Sequence, residues 1–269
     1  MSGAPRLLLG VAVATGTAVF GAALTVVVWY AGAVRDEAGF VPVAAEVLAS
    51  EPARRLVAEE VVDRIVRFEP AVAVVRGPAE STIAAVLASP VFAPLAEEAA
   101  RSLHGALLVG GPVVVDLGPW RDELLAPLAA LAPAVAEAVP SELFGPFVFV
   151  DAGRLPRLPD PTPWGIAAAI GAIGTFVLLL VLLRRAVAVG LVAFGVGLGL
   201  AGTLVVAVAA GLPDRAGAGL VDPGHRVLAV ALADRLAAPL TVTGVVEASV
   251  GVGSVLASAV VIRRRSAPS

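Results

Sequence analysis

The most regular feature of the chain is a set of four long apolar stretches separated by polar and charged segments. The stretches cover residues 7–30, 164–183, 186–212 and 237–262. A helix needs roughly 20 residues to cross the ~30 Å hydrocarbon layer of a bilayer, and each stretch is long enough. The pattern therefore predicts an α-helical membrane protein with four transmembrane helices.

The arginines are distributed unevenly among the segments that flank these stretches. Segments 1–6, 184–185 and 263–269 carry six Arg and no acidic residue, whereas residues 31–163 carry 10 Arg and 18 Asp or Glu. Positively charged segments are retained on the cytoplasmic side of a membrane. We therefore expect a plasma-membrane protein in the lipid bilayer, with both termini and the turn 184–185 in the cytoplasm. Residues 31–163 and 213–236 are then extracytoplasmic.

The first stretch is interpreted as an uncleaved signal-anchor. Ala31, Gly32 and Ala33 resemble a signal-peptidase site, so cleavage after Ala33 is the alternative. The apolar run of 24 residues exceeds the roughly 7–15 residues of a cleaved signal peptide, which favours the anchor.

The segment between the first and second stretches is predicted to form a mostly helical exported domain. Ser50 and Ser89 each precede a first turn that contains Pro, which predicts two helix starts. The second of these helices is expected to end before Gly110. Two short runs rich in Val and Phe, 113–117 and 147–150, predict a small two-stranded β element.

Composition excludes several classes of protein. Hydrophobic residues make up 58% of the chain and charged residues 15%, too apolar and too weakly charged for a soluble globular protein. The absence of Cys excludes a disulfide-stapled fold and thiolate metal sites. A net charge of −3 argues against nucleic acid as a partner.

Three segments, 36–41, 99–104 and 113–119, carry a resemblance to a known family. They read Asp-Glu-Ala-Gly-Phe-Val, Ala-Ala-Arg-Ser-Leu-His and Val-Val-Val-Asp-Leu-Gly-Pro. In this order they resemble a group of actinobacterial multi-pass integral membrane proteins. That group has an N-terminal anchor, an exported helical domain with a Val-Thr-Leu-Asp-Leu-like strand, and three further spans. This chain has Val114 where the group tends to have Thr. The resemblance implies an architecture, and it implies no activity, cofactor or site residue.

Glu247 is the sharpest candidate for a functional residue, since no other charged residue lies within the four apolar stretches. It is roughly 15 Å along the fourth predicted helix, at 1.5 Å per residue. A charge at that depth costs roughly 2.5–3.5 kcal/mol, and such residues are functional candidates by default. One hypothesis is a proton, cation or ligand site. The structural alternatives are a protonated Glu247 bonded to Thr175 or Thr203, or a displaced helix that places it nearer the surface.

Two further sets of residues are weaker candidates. His104 and Arg101 share a predicted helix face, and Asp116 is expected within reach across the following turn. These three residues predict a polar pocket that senses pH or binds an anion, or a structural contact between helix and strand. His225 begins a predicted helix within the loop 213–236, which we interpret as an interfacial anchor.

Three functions from different classes follow from these observations. The first is a non-enzymatic membrane protein whose exported domain contacts a cell-envelope protein or provides structural support. The second is a small ion-coupled transporter that uses Glu247. The third is a membrane enzyme acting on lipid or cell-wall precursors through Arg101, His104 and Asp116. We expect no cofactor, no metal site and no catalytic residue, and the oligomeric state is left open.

Overall fold

The computed structural model describes residues 3–131, 144–150, 157–218 and 223–266, together with Pro133, Ala136, Pro140 and Leu220. The chain falls into two compact units. The apolar-helix unit contains residues 1–34, 160–214 and 233–269, and the domain unit contains residues 35–159 and 215–232.

The helices and strands are numbered along the chain. They are α1 (Gly3–Gly16), α2 (Ala22–Trp29), α3 (Glu37–Leu48), α4 (Glu51–Phe68), α5 (Arg76–Val86), α6 (Ala93–Val109), β1 (Val113–Asp116), α7 (Arg121–Leu131), β2 (Pro146–Val150), α8 (Thr162–Arg185), α9 (Val187–Ala218) and α10 (Pro223–Ser266). A π-helical turn joins α1 to α2, and a second one follows α2, so the first apolar stretch is helical throughout.

Four helical segments in the described part of the chain are long and apolar enough to cross a membrane. They are Ala4–Arg35, Thr162–Arg185, Val187–Ala218 and Pro223–Val260. They confirm the four predicted apolar helices and support a membrane protein. A bent pair, Pro70–Val86 and Pro90–Val109, meets the same criteria only when its two parts are joined across a bend of 76°.

Two of these helices continue beyond the stretches that predicted them. α9 runs through Pro213 to Ala218, and α10 begins at Pro223 and continues through Pro239. The predicted loop 213–236 is therefore largely helical, and its anchor helix is continuous with the fourth apolar stretch. Residues 226–238 contain neither Gly nor Pro, so nothing in that segment interrupts the helix.

The first apolar helix packs between α8 and α9. Gly171 of α8 lies against the ring of Phe20, and Gly197 of α9 lies against the backbone of Ala14. Glycine removes the side chain that would otherwise hold the helices apart, so both neighbours approach closely.

α9 and α10 meet along a seam of small residues. A Cβ atom built on Gly244 would lie 2.8 Å from the carbonyl oxygen of Gly202, and one built on Gly251 would lie 2.6 Å from that of Gly195. Neither position has room for a side chain, so the two backbones are in direct contact. Close contact of this kind is a main source of attraction between helices in lipid, where the hydrophobic effect supplies none.

The domain unit agrees with the local signals in the sequence. α4 begins after Ser50 with Pro52 in its first turn, and α6 ends at Gly110, whose φ of 78° favours glycine. The strands β1 and β2 pair in antiparallel orientation, with Val115 opposite Phe147. This confirms the predicted β element.

A hydrophobic core of its own holds the domain unit together. Val62 of α4, Ile83 of α5, Leu124 of α7 and Phe144 before β2 are each at most 2% exposed. These side chains come from four different segments, so the core joins parts of the chain that are distant in sequence.

Arg76 links α4 to α5 at the surface of this unit. Its guanidinium lies 2.7 Å from Asp63 and 2.6 Å from Glu80. The hydrogen bond to Glu80 and the charge of Asp63 raise the pKa of Arg76. Burial lowers the pKa of Arg64, against the attraction of Glu60. Exposed pairs such as these each contribute little to stability.

Candidate functional site

Glu247 lies in the middle of the apolar part of α10, beside the seam with α9. Its neighbours along the helix, Gly244 and Ala248, are the residues that contact Gly202. The side chain is half-buried and extends towards α2. The carboxyl group therefore lies where three apolar helices converge.

One oxygen of the Glu247 carboxyl group has a hydrogen-bond donor. The hydroxyl group of Thr25 on α2 donates to Oε1 over 2.6 Å. The second oxygen, Oε2, is buried and has no hydrogen-bond partner among the described residues. This carboxyl group is therefore held at one oxygen and enclosed at the other.

The partner of Glu247 differs from the two candidates that the sequence suggested. The hydroxyl groups of Thr175 and Thr203 each donate to a carbonyl oxygen of their own helix, over 2.9 Å in both cases. Thr25 is 222 positions away in the chain. The sequence feature that could have identified Thr25 is its position within the first apolar stretch, because threonines in such stretches often form hydrogen bonds between membrane helices.

A second hydrogen bond joins α2 and α10 at the last residue of α2. The indole N–H of Trp29 donates to the carbonyl oxygen of Leu236 over 2.8 Å. Pro239 lies three residues later in α10, and its missing N–H loosens the helical hydrogen bonding of this turn. Thr25 and Trp29 are one helical turn apart, so one face of α2 makes both contacts with α10.

The donor set around Glu247 is small for a carboxyl group. A carboxylate accepts at up to about four lone-pair sites, whereas a carboxylic acid carries its own proton on one oxygen. The described residues supply one donor, and they supply it to Oε1. No group of three or more potential metal-ligating side chains occurs among the described residues.

His104 occupies a different place from the one predicted. Its Nε2 atom lies 3.1 Å from the carbonyl oxygen of Arg35, and its ring packs on Phe40 with the ring centroids 5.1 Å apart. The side chain is only 5% exposed. α6 is thereby attached to the start of the domain unit, just before Asp36 caps α3.

The structure does not bring Arg101 and Asp116 to His104. Arg101 is exposed and pairs with Glu97 over 3.2 Å, one turn earlier on the same helix. Asp116 is also exposed, and it accepts a hydrogen bond from the backbone N–H of Gly118 over 2.9 Å. The geometry therefore assembles no three-residue pocket here. It attaches the buried histidine to the backbone.

His225 lies in the first turn of α10, within the segment that belongs to the domain unit. Further along the same helix, Leu228 and Leu232 are half-buried and Leu236 is buried. This spacing places the three leucines on one face of the helix.

Comparison of the chain with family models, curated proteins and solved structures found no match. The resemblance carried by segments 36–41, 99–104 and 113–119 therefore stays a prediction about architecture.

Proposed function

We propose that the protein is a four-span plasma-membrane protein that presents residues 31–163 outside the membrane as a non-enzymatic domain for contact with a cell-envelope protein. The N-terminal helix acts as a signal-anchor, and both termini are cytoplasmic. The observation that carries the proposal is the division of the chain into an apolar-helix unit and a domain unit with its own hydrophobic core.

The charges support this orientation. The six arginines of segments 1–6, 184–185 and 263–269 would all face the cytoplasm, and these segments contain no acidic residue. Residues 31–163, with a net charge of −8 from 10 Arg and 18 acidic residues, would face outward. Retention of arginine-rich segments on the inner side is the stronger of these two signals.

The surface of the domain unit offers positions at which a contact function can be tested. Phe68, Val74, Val91 and Val109 are large apolar side chains that are each at least 50% exposed, and Val74 is 90% exposed. Single exposed apolar residues are normal on a protein surface, so we use these side chains as accessible positions at which contact with another protein can be probed.

The orientation can be tested with single cysteines, because the chain has none of its own. We expect a membrane-impermeant maleimide to label Val74→Cys in intact cells and to label Ser266→Cys only after the membrane is permeabilised. Ala79→Cys is the matched control, because Ala79 is 3% exposed in the same domain and should react slowly in both conditions. Labelling of Ser266→Cys alone in intact cells would invert the topology and refute the proposal.

Contact with a partner can be tested with the same variants. A photoreactive maleimide attached to Val74→Cys or Val109→Cys should yield a discrete crosslinked species in intact cells, and Ser266→Cys should not yield that species. If no exposed position of the domain gives a crosslink, the proposed contact function is wrong even where the topology is right.

A further inference from the structure

We propose that Glu247 and Thr25 form a proton-binding site between α2 and α10, with Oε2 of Glu247 as the atom that binds and releases the proton. The ligand is a proton, and the chemistry is the formation and breaking of one O–H bond. The inference is independent of the function proposed for the domain unit.

The geometry identifies the proton-binding atom. Oε1 accepts the hydroxyl hydrogen of Thr25 over 2.6 Å, so this oxygen keeps a lone pair directed at the hydroxyl group. Oε2 is enclosed by protein and has no donor among the described residues. An ionised carboxylate would leave a buried oxygen without any hydrogen bond, and that is costly in apolar surroundings. A proton on Oε2 removes the charge, and a neutral O–H group costs much less to bury than an anion does.

The charged and titratable surroundings favour the same conclusion. The apolar stretches 7–30, 164–183 and 186–212 include no charged residue, and the stretch 237–262 includes only Glu247. The nearest titratable group along the partner helix is Tyr30, five residues beyond Thr25. No arginine in these stretches is therefore available to stabilise the anion, and neutralisation by a proton is the remaining means.

A metal cation fits the site poorly. Hard cations such as Ca²⁺ take about six to eight oxygen ligands, and Mg²⁺ requires near-octahedral coordination. The carboxyl group and the hydroxyl group of Thr25 together supply three oxygens. The nearby hydroxyl groups of Thr243 and Ser249 donate to carbonyl oxygens of their own helix, over 2.9 and 2.8 Å. Three oxygens are fewer than the six or more that Ca²⁺ or Mg²⁺ requires, whereas a proton binds to one oxygen.

Release of the proton changes the charge of the site. When the Oε2–H bond breaks, the proton passes to water and Glu247 changes from neutral to a charge of −1. The enclosed Oε2 atom then needs water or another donor, and the described residues supply none. Proton exchange at Glu247 therefore requires water to reach Oε2.

Infrared difference spectroscopy of the full chain in lipid vesicles tests the proposal directly. The spectrum of wild type minus Glu247→Gln at neutral pH should contain the carbonyl-stretch band of a protonated carboxyl group. The band should be lost completely as the pH is raised far enough. Thr25→Val, which removes the donor to Oε1, should shift this band without abolishing it, and Thr243→Val on the same helix as Glu247 is the matched control that should leave it in place.

Three outcomes would overturn the proposal. A carboxylate signal in place of the acid band at neutral pH would show that Glu247 is ionised. A band that persists at every pH in the membrane would show a permanently neutral, structural glutamate. Replacement of the acid band by a carboxylate signal on addition of Na⁺ at constant pH would show a metal-ion site. If Glu247→Gln fails to fold, the shift caused by Thr25→Val provides the same assignment.

Discussion

The seam between α9 and α10 yields the sharpest prediction, because one position without room for a side chain lies two residues from another that has room. A Cβ atom on Gly251 would lie 2.6 Å from the carbonyl oxygen of Gly195 and 2.9 Å from the Cα atom of Gly199. A Cβ atom on Gly253, in the same helix, would meet nothing within 4 Å. Gly251→Ala and Gly253→Ala are therefore a matched pair.

The magnitude follows from these distances. Ordinary van der Waals contact begins at 3.4 Å, and the nearest atom to this Cβ is the backbone N of Gly199 at 2.5 Å, so α9 and α10 must move apart by the difference, about 0.9 Å. Overpacking of a well-packed contact costs about 1–3 kcal/mol. Replacing Gly by Ala inside a helix contributes about 0.5–1 kcal/mol of stability, and this gain is common to both variants. Gly251→Ala should therefore be less stable than Gly253→Ala by about 1–3 kcal/mol.

Unfolding of the purified protein by sodium dodecyl sulfate in mixed micelles, followed by circular dichroism, measures this difference. The midpoint for Gly253→Ala should equal or exceed that of wild type, and the midpoint for Gly251→Ala should fall below both. Gly251→Val adds two methyl groups at the same place and should lower the midpoint further. Equal midpoints for the two alanine variants would refute the packing argument.

Two further predictions concern the domain unit, each measured as the free energy of unfolding of the full chain. His104→Ala should lower the free energy of unfolding by about 2–3 kcal/mol, about 1 kcal/mol from the hydrogen bond to the Arg35 carbonyl and the rest from lost packing. Arg101→Ala, at an exposed position, should change it by less than about 0.5 kcal/mol. Comparable losses for the two variants would contradict the placement of His104. Ile83→Ala should lower the free energy of unfolding by about 2–5 kcal/mol, because it leaves a cavity in the core. Val74→Ala, at a site that is 90% exposed, should leave it almost unchanged. A large loss for Val74→Ala would show that this side chain is covered.

Much of the local structure followed from the sequence because its causes are local. The four apolar helices were predicted from run length, which the thickness of the hydrocarbon layer sets. The start of α4 after Ser50 and the end of α6 at Gly110 follow from backbone preferences that act within one turn. The pairing of β1 and β2 agrees with the two short runs of strand-forming residues.

The continuity of α10 did not follow from hydropathy. The polar residues before 237 indicated a loop with a separate helix, since hydropathy reports where a bilayer would end and not where a helix ends. Hydrogen bonds within a helix continue across that boundary until a residue interrupts them. Pro239 does not interrupt this helix, because it leaves out only one donor and the segment before it, residues 226–238, contains neither Gly nor Pro.

The site itself was only half predictable. Glu247 was identified by sequence alone because a single charge in an apolar stretch is conspicuous. Its partner was not identified, because a helix in lipid is apolar on every side and no periodicity marks the face that meets a neighbour. Which threonine reaches Glu247 depends on the positions of three helices that are far apart in the chain.

Chain order and composition by themselves therefore determined the number of apolar helices, the division between them and the domain, and the one residue out of place in the apolar stretches. Only the tertiary structure decided that α2 carries the partner of Glu247 and that His104 bonds to Arg35 and not to Asp116. The physical reason is the range of the forces. Propensity and hydropathy act over one helix, whereas a hydrogen bond between helices forms only after close packing has selected the faces that meet.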